Sequence, residues 1–149
     1  MNSTQVFAEI SVAGNLTTML QVPPNCDLTL GLTRSAASTS PSNTWQARID
    51  ERFLNPAGVV QGGFLAAIAD SAMGAAAVSA AGDRKVIVAN TDLRISFLRS
   101  VAPGSVISCT ARVIKSGRSI TFVEATIVDQ SDEVVATASS TYVIQDRAV

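Results

Sequence analysis

The chain has 149 residues, 47% of them hydrophobic and 15% charged, with a formal net charge of -1. That is enough apolar material for one domain with its own core and too much for a disordered chain. No basic run or stripe is present, which argues against nucleic acid or an anionic membrane as partner, and the absence of histidine excludes Ser-His-Asp and Cys-His hydrolases, His-ligated zinc and histidine general bases.

The first segment, "MNSTQVFAEISVAG", has neither a basic n-region nor an apolar h-region, so no signal peptide is expected. "NST" and "NLT" are then chance matches to the glycosylation pattern. Cys26 and Cys109 lie far apart without a partner motif, which predicts a reducing, cytoplasmic setting. "QVFAEISVAGNLTTML" reads as a short amphipathic helix, making an N-terminal segment 1–27 that is partly helical. The prolines of "VPPN" break it. "LTLGLTRSAAS" reads as a strand and "TSPSN" as a turn. "TWQARIDERF" alternates as a strand with Trp45, Ala47 and Ile49 on one face.

Residues 62–81 read as one helix, entered through Asn55-Pro56 and the pair Gly62-Gly63 and closed by Gly82-Asp83. It is apolar nearly all round, so burial on most sides is expected. Its length suits a membrane span, but it is rich in alanine, carries Asp70 at its centre and lacks basic flanks.

Four strands follow. "KVIVANTDLRISFLRS" places Ile87, Ala89, Thr91, Leu93, Ile95 and Phe97 on one face, "SVISCTARVIKS" places Ile107, Cys109, Ala111 and Val113, and "SITFVEATIVDQ" turns Val123, Ala125 and Ile127 inward; "VVATASSTYVIQ" completes the set. Asp92, Arg94 and Glu124 read as sheet-surface charges. The turns "VAPG", "GR" and "SDE" are short, so the strands form an antiparallel meander. A long helix that must be covered and a long sheet with one apolar face predict an α+β fold, a six-stranded antiparallel sheet curled around a central helix.

Asp70 is the residue that demands an account. No Lys or Arg stands at i±3 or i±4, where the residues are Ala66, Ala67, Met73 and Gly74. A carboxylate in such surroundings must be paired, accept hydrogen bonds or take up a proton; the bland alternative is a narrow wet stripe with Ser71 or Asn55 nearby. The glycine pair, if not simply a tight turn, opens a helix whose first N–H groups carry partial positive charge suited to an oxyanion. Gly62 and Asp70 are eight residues apart, or about 12 Å along a helix, too far to act on one carbonyl. Two antiparallel helices across a two-fold axis would bring one N-terminus to the partner's Asp70, which predicts a composite site in a homodimer.

A helix entered by "NPAGVVQGG", an acid nine residues after Gln61, and the later "FLR" together resemble the hotdog-fold thioesterases, most nearly the phenylacetate-degradation (PaaI-like) acyl-CoA thioesterases. The resemblance runs over residues 28–144, with "RISFLRSVAPG" and "VIKSGRS" as looser support. It implies hydrolysis of an acyl-coenzyme A thioester, with Asp70 as nucleophile or general base, the Gly62 N–H polarising the carbonyl, and Asn55 beside the thioester or attacking water. Gln61, Gly63, Ser71 and Gly74 would lie at the substrate. Gln61 stands for the family's usual histidine, and Ser100 where relatives often have proline. Gly74 stands where they often carry Ser or Thr to hold the water; Ser71 is a candidate substitute, although it points about 100° away around the helix.

Of Arg99, Lys115 and Arg118, Arg118 is the expected contact for the phosphates of coenzyme A. No metal or other cofactor is expected. The expected partners are an acyl-CoA substrate and further copies of the chain, as dimer or tetramer. A binding protein for acyl-CoA without turnover is the alternative that Gln61 and Gly74 suggest. A hydratase of the same fold would want the histidine that this chain lacks.

Overall fold

The computed structural model describes residues 6–12, 16–35 and 42–147. Its elements are β1 (Val6–Val12), β2 (Leu16–Val22), α1 (Asn25–Leu30), β3 (Thr33–Arg34), β4 (Ser42–Arg48), α2 (Gly62–Ala80), β5 (Val86–Asn90), β6 (Arg94–Phe97), β7 (Val106–Ser116), β8 (Ile120–Val128) and β9 (Val134–Asp146).

The expected central helix is present. It ends one residue before the predicted limit, at Ala80, followed by Gly82 at φ 62, a left-handed conformation that glycine adopts without steric cost. Leu65, Ile68, Ala69, Ala72, Met73, Ala76 and Ala77 are its buried residues, and their i, i+3, i+4 spacing makes one stripe. That stripe lies in the hollow of an antiparallel sheet with the order β3-β4-β7-β8-β9-β5, in which β6 also pairs with β9. β5 and β6 share one edge of β9, since Asn90 pairs with Tyr142 and Arg94 with Ser139; the sheet therefore has six strand positions, as the pattern predicts. Its inner face supplies Ala47, Ile49, Ile107, Cys109, Ala111, Val123, Ala125 and Ile127 to the core, in the predicted phase for β4, β7 and β8. By length and composition α2 could also cross a membrane; here its apolar stripe is the inner layer of the fold.

Four expectations are corrected. The helix predicted over residues 5–20 is a hairpin, with β1 and β2 paired from Val6↔Val22 to Val12↔Leu16 as a separate two-stranded sheet. In sequence Val6, Ala8, Ile10 and Val12 alternate, as do Leu16, Thr18, Leu20 and Val22, and the β-branched content suits strands. The strand predicted at residues 28–38 begins in α1, which starts after Pro24 and stops at Gly31 (φ 65), so that β3 keeps only Thr33–Arg34; residues 36–38 lie outside the described residues. The turn predicted at residues 39–43 falls largely on 36–41, outside the described residues.

The third correction is to phase. "KVIVANTDLRISFLRS" is two strands: of the predicted inner face Ile87, Ala89, Thr91, Leu93 and Phe97 are exposed and Ile95 packs on the core, as does Val88 of the opposite phase. Asp92 causes the break and is no plain surface charge. Its carboxylate accepts from the Thr141 N–H at 2.8 Å and its carbonyl from Ser140 Oγ at 2.6 Å. A side chain thus occupies a β9 donor that a continuous ladder would have used, and the alternation restarts beyond it. Glu124 does pair across the sheet surface, with Arg112.

Lastly, α2 is not buried on most sides within the chain. Gly63 and Val78 are exposed, and Ala66, Ala67, Asp70, Ser71, Gly74 and Ala75 are half-buried, so the sheet covers one face and a face of small residues stays open.

The alanines at the sheet contact admit little else. Ala72, 0% exposed, replaced by leucine is expected to cost about 1–3 kcal/mol by overpacking, read as a lower denaturant midpoint at unchanged slope.

Candidate active site

The entry to α2 is built by the segment after β4. Asp50 accepts from the Arg52 N–H at 3.0 Å and caps a 3-10 turn, Glu51–Phe53. Phe53 is buried, and its ring meets Phe64 edge-on at 5.0 Å between centroids, a contact that ties the helix's first turn to the preceding turn. The Gln61 N–H donates to the Phe53 carbonyl at 2.8 Å and the Val60 N–H to Val101 at 2.9 Å. Between them, residues 55–59 form a closed loop. Asn55 shapes that loop: its Oδ1 accepts from the Ala57 N–H at 2.9 Å and from the Val59 N–H at 3.4 Å. The side chain expected beside the reacting atoms therefore spends its oxygen on its own turn, as an Asx turn does.

Gln61 is the N-cap and supplies no side-chain cap. The first helical N–H groups of Gly62 and Gly63 thus keep the donor capacity that helix N-termini leave over. Both glycines line a cavity of about 590 Å³ with Gln61, Phe97, Arg99 and Ser100. A second, mainly apolar cavity of about 500 Å³ lies between α1 and α2, lined by Cys26, Thr29, Leu30, Gln61, Gly63, Phe64 and Ala67. Gln61 and Gly63 belong to both. The tip of the exposed Phe97 ring lies over Gly62, 2.8 Å from where a Cβ would stand, so a side chain there would have to displace that ring.

The basic residue lining the first cavity is Arg99, ion-paired with Glu133 at 2.6 Å. Arg118, the predicted phosphate contact, is elsewhere. Its carbonyl accepts from Arg84 Nη1 at 3.0 Å, just past the C-terminus of α2, so within one chain it and Gly62 lie at opposite ends of the helix.

Asp70 sits on the open face of α2, half-buried with Ser71 and Gly74. Its partners are Asn90 and Tyr142, neither singled out by the sequence. Asn90 Nδ2 donates to Asp70 Oδ1 at 2.9 Å, and the Tyr142 hydroxyl donates to the same oxygen at 3.1 Å, with a longer approach of 3.3 Å to the Asp70 carbonyl. Asn55 is not among them. The available signal was periodicity: Asn90 shares the phase of Val88, and Tyr142 that of Ile144, both of which face inward. Locating it required knowing that β5 breaks before Asp92.

Tyr142 is buried, and burial first and the neighbouring Asp70 charge second raise its phenol well above the ordinary value. Cys109, sealed in the core, has its thiol pushed up to about 12 by burial, which makes it inert. Cys26 is exposed. Among the described residues no three His, Cys, Asp or Glu side chains cluster as a metal site requires.

Tyr142 is the chain's only tyrosine, so phenolate absorbance reports on it alone. Removing the Asp70 charge removes one of the causes that raise the phenol, so Asp70→Asn is expected to bring the onset of phenolate absorbance to lower pH. An alkaline spectrophotometric titration of both proteins checks this.

Comparison with known proteins agrees with the geometry. The thioesterase superfamily profile matches residues 57–136, which hold the helix entry, α2 and the strands through the start of β9. A phenylacetic acid degradation-related protein of Ralstonia eutropha superposes with a TM-score of 0.73 at 30% identity, over 80% of this chain and 89% of that one. The Escherichia coli PaaI protein of the phenylacetic acid degradation operon shares the fold at TM-score 0.71 and 23% identity, over 79% and 86% of the two chains. So does a hypothetical thioesterase of Streptococcus pneumoniae solved with coenzyme A, at TM-score 0.71 and 16% identity, over 79% and 88%. Comparison with curated protein sequences finds no match. A curled sheet around an alanine-rich helix, an uncapped glycine entry and an acid two turns on place the chain in the thioesterase superfamily, among the PaaI-like hotdog thioesterases.

Proposed function

We propose that this thioesterase acts on acyl-coenzyme A, at a site that two antiparallel α2 helices complete across a homodimer. The observation that carries the proposal is the position of Asp70. Its carboxylate is held on the open face of α2, eight residues beyond the uncapped glycines of the same helix, or about 12 Å away. A partner helix laid antiparallel on that face brings its own Gly62 to this Asp70 and covers the open face between Gly63 and Asp70. Such a closely packed two-fold contact suits glycine and alanine on both sides.

In this mechanism the Gly62 N–H of one protomer receives the thioester carbonyl and holds the developing oxyanion. Asp70 of the other either attacks the carbonyl carbon, forming an anhydride that water then cleaves, or takes a proton from the attacking water. In both routes the carbon–sulfur bond breaks and coenzyme A leaves as a thiolate. A thiolate is a good leaving group, which is why carboxylate and oxyanion donors suffice without histidine. The apolar cavity between α1 and α2 suits the acyl group, and Arg99 at the mouth of the other cavity suits a phosphate. Coenzyme A in the Streptococcus pneumoniae relative supports that ligand class. Asn55 contributes by shaping the loop that sets the helix entry. The proposal places the enzyme in the cytoplasm, where acyl-CoA substrates are found, and it calls on no metal or redox cofactor.

The test is free-thiol release from aromatic, short-chain and medium-chain acyl-CoAs, with the wild type and Asp70→Asn side by side and the mass in solution taken by sedimentation. Wild-type turnover by a dimer or larger species, reduced about 10²-fold or more in Asp70→Asn, is the expected result. Acyl-CoA bound by both proteins with no turnover by either would instead make the chain a binding protein.

A further inference from the structure

Both donors to Asp70 reach the same oxygen. Asn90 and Tyr142 stand directly opposite each other in the β5–β9 pair, so their side chains emerge on one face of the sheet, and each donates to Oδ1. Among the described residues Oδ2 accepts no hydrogen bond. The carboxylate is therefore held by one edge with the other edge free.

Tyr142 has little freedom, since it is 2% exposed. Its raised phenol keeps the proton through the neutral range, so it remains a donor. It reaches Asp70 past Gly74, one turn further along α2, where a Cβ would lie 3.9 Å from both the Tyr142 hydroxyl and Cε1. That is ordinary contact distance, so the space beside Asp70 admits a small side chain from the helix. Residues four apart share a helix face, so a hydroxyl at position 74 and the Tyr142 hydroxyl address the carboxylate from neighbouring points, one from the helix and one from the sheet.

We propose that Tyr142 is the positioning residue of this thioesterase: its hydroxyl, with the Asn90 amide, fixes Asp70 Oδ1 and leaves Oδ2 as the oxygen that attacks the thioester carbonyl or takes the proton from water. The inference rests on the acyl-CoA thioesterase reading above. Tyr142 does not touch substrate in this scheme, so its loss misplaces the acting oxygen without weakening binding.

The experiment compares kcat and KM of the wild type, Tyr142→Phe, Gly74→Ser and the double variant on the best thioester of the panel, with circular dichroism confirming the fold of each. Phenylalanine keeps the ring and removes only the hydroxyl. Tyr142→Phe is expected to lower kcat by about 10- to 100-fold, the scale of a misplaced reacting group, with KM little changed. Adding Gly74→Ser is expected to recover most of that loss, which a packing defect would not allow. Wild-type kcat in Tyr142→Phe overturns the inference, as does a loss that the double variant leaves unrepaired. A wild type inactive on every thioester overturns the thioesterase reading and this inference with it, whereas an active wild type with an unaffected Tyr142→Phe overturns this inference alone.

Discussion

Ala69, Ala72, Ala76 and Ala77 are almost wholly buried where α2 meets the sheet, and with side chains this small the helix lies close against the strands. The site depends on that close approach. A tyrosine projecting from β9 and an asparagine from β5 both reach a carboxylate on α2 within hydrogen-bonding distance. A helix held off by leucines along its whole length would place Asp70 beyond their reach. Ile68 and Met73, buried between the alanines, supply the bulk that fills the hollow on either side. Close-packed interiors leave no slack for exchanging these roles.

A second constraint acts on the sheet edge. β5 and β6 lie on the same side of β9, separated by Asp92, whose carboxylate takes the Thr141 N–H and whose carbonyl takes the Ser140 hydroxyl. The break resets the side-chain alternation, so Val88 and Asn90 face the helix before it and Ile95 faces the core after it. Without that reset, one half of the edge would turn its apolar residues outward. The same break aligns Asn90 with Tyr142 and so brings both donors to one carboxylate oxygen. A residue that reads as a surface charge is in this way part of the support of the site.

The helix entry is organised on different principles. Phe53 and Phe64 clasp, Asn55 closes its own loop, and Gln61 leaves the first turn uncapped. Unsatisfied N–H groups at a helix start are normally capped or hydrated; here they open onto a cavity that also holds Arg99. Donors and carboxylate stand at separate points of one helix, so the chemistry is divided along α2, and the open face of small residues between them is where a second copy would reunite it.

Local pattern determined a good deal. The apolar run of residues 62–81 with glycine at either end, and the alternation in β4, β7 and β8, determined the helix, those strands and the strands' inward faces, because each signal arises from neighbours within a turn or a pleat. The same stretch carried the family resemblance and drew attention to Asp70 and the glycine pair. What needed the tertiary structure were the features set by distant residues. Asp92 breaks its strand only because Thr141 and Ser140 lie across from it, and Asn90 and Tyr142 become partners of Asp70 only through the register of β5 on β9 and the nearness of α2. The N-terminal hairpin is a similar case: its alternation is compatible with a strand or an amphipathic helix, and the pairing of β1 with β2 decides between them. Within one chain Arg118 lies at the far end of α2 from the glycine entry, and Asn55 gives its side-chain oxygen to its own loop, neither of which spacing along the chain reveals. Sequence spacing counts residues along the chain, whereas a site is defined by distance across it.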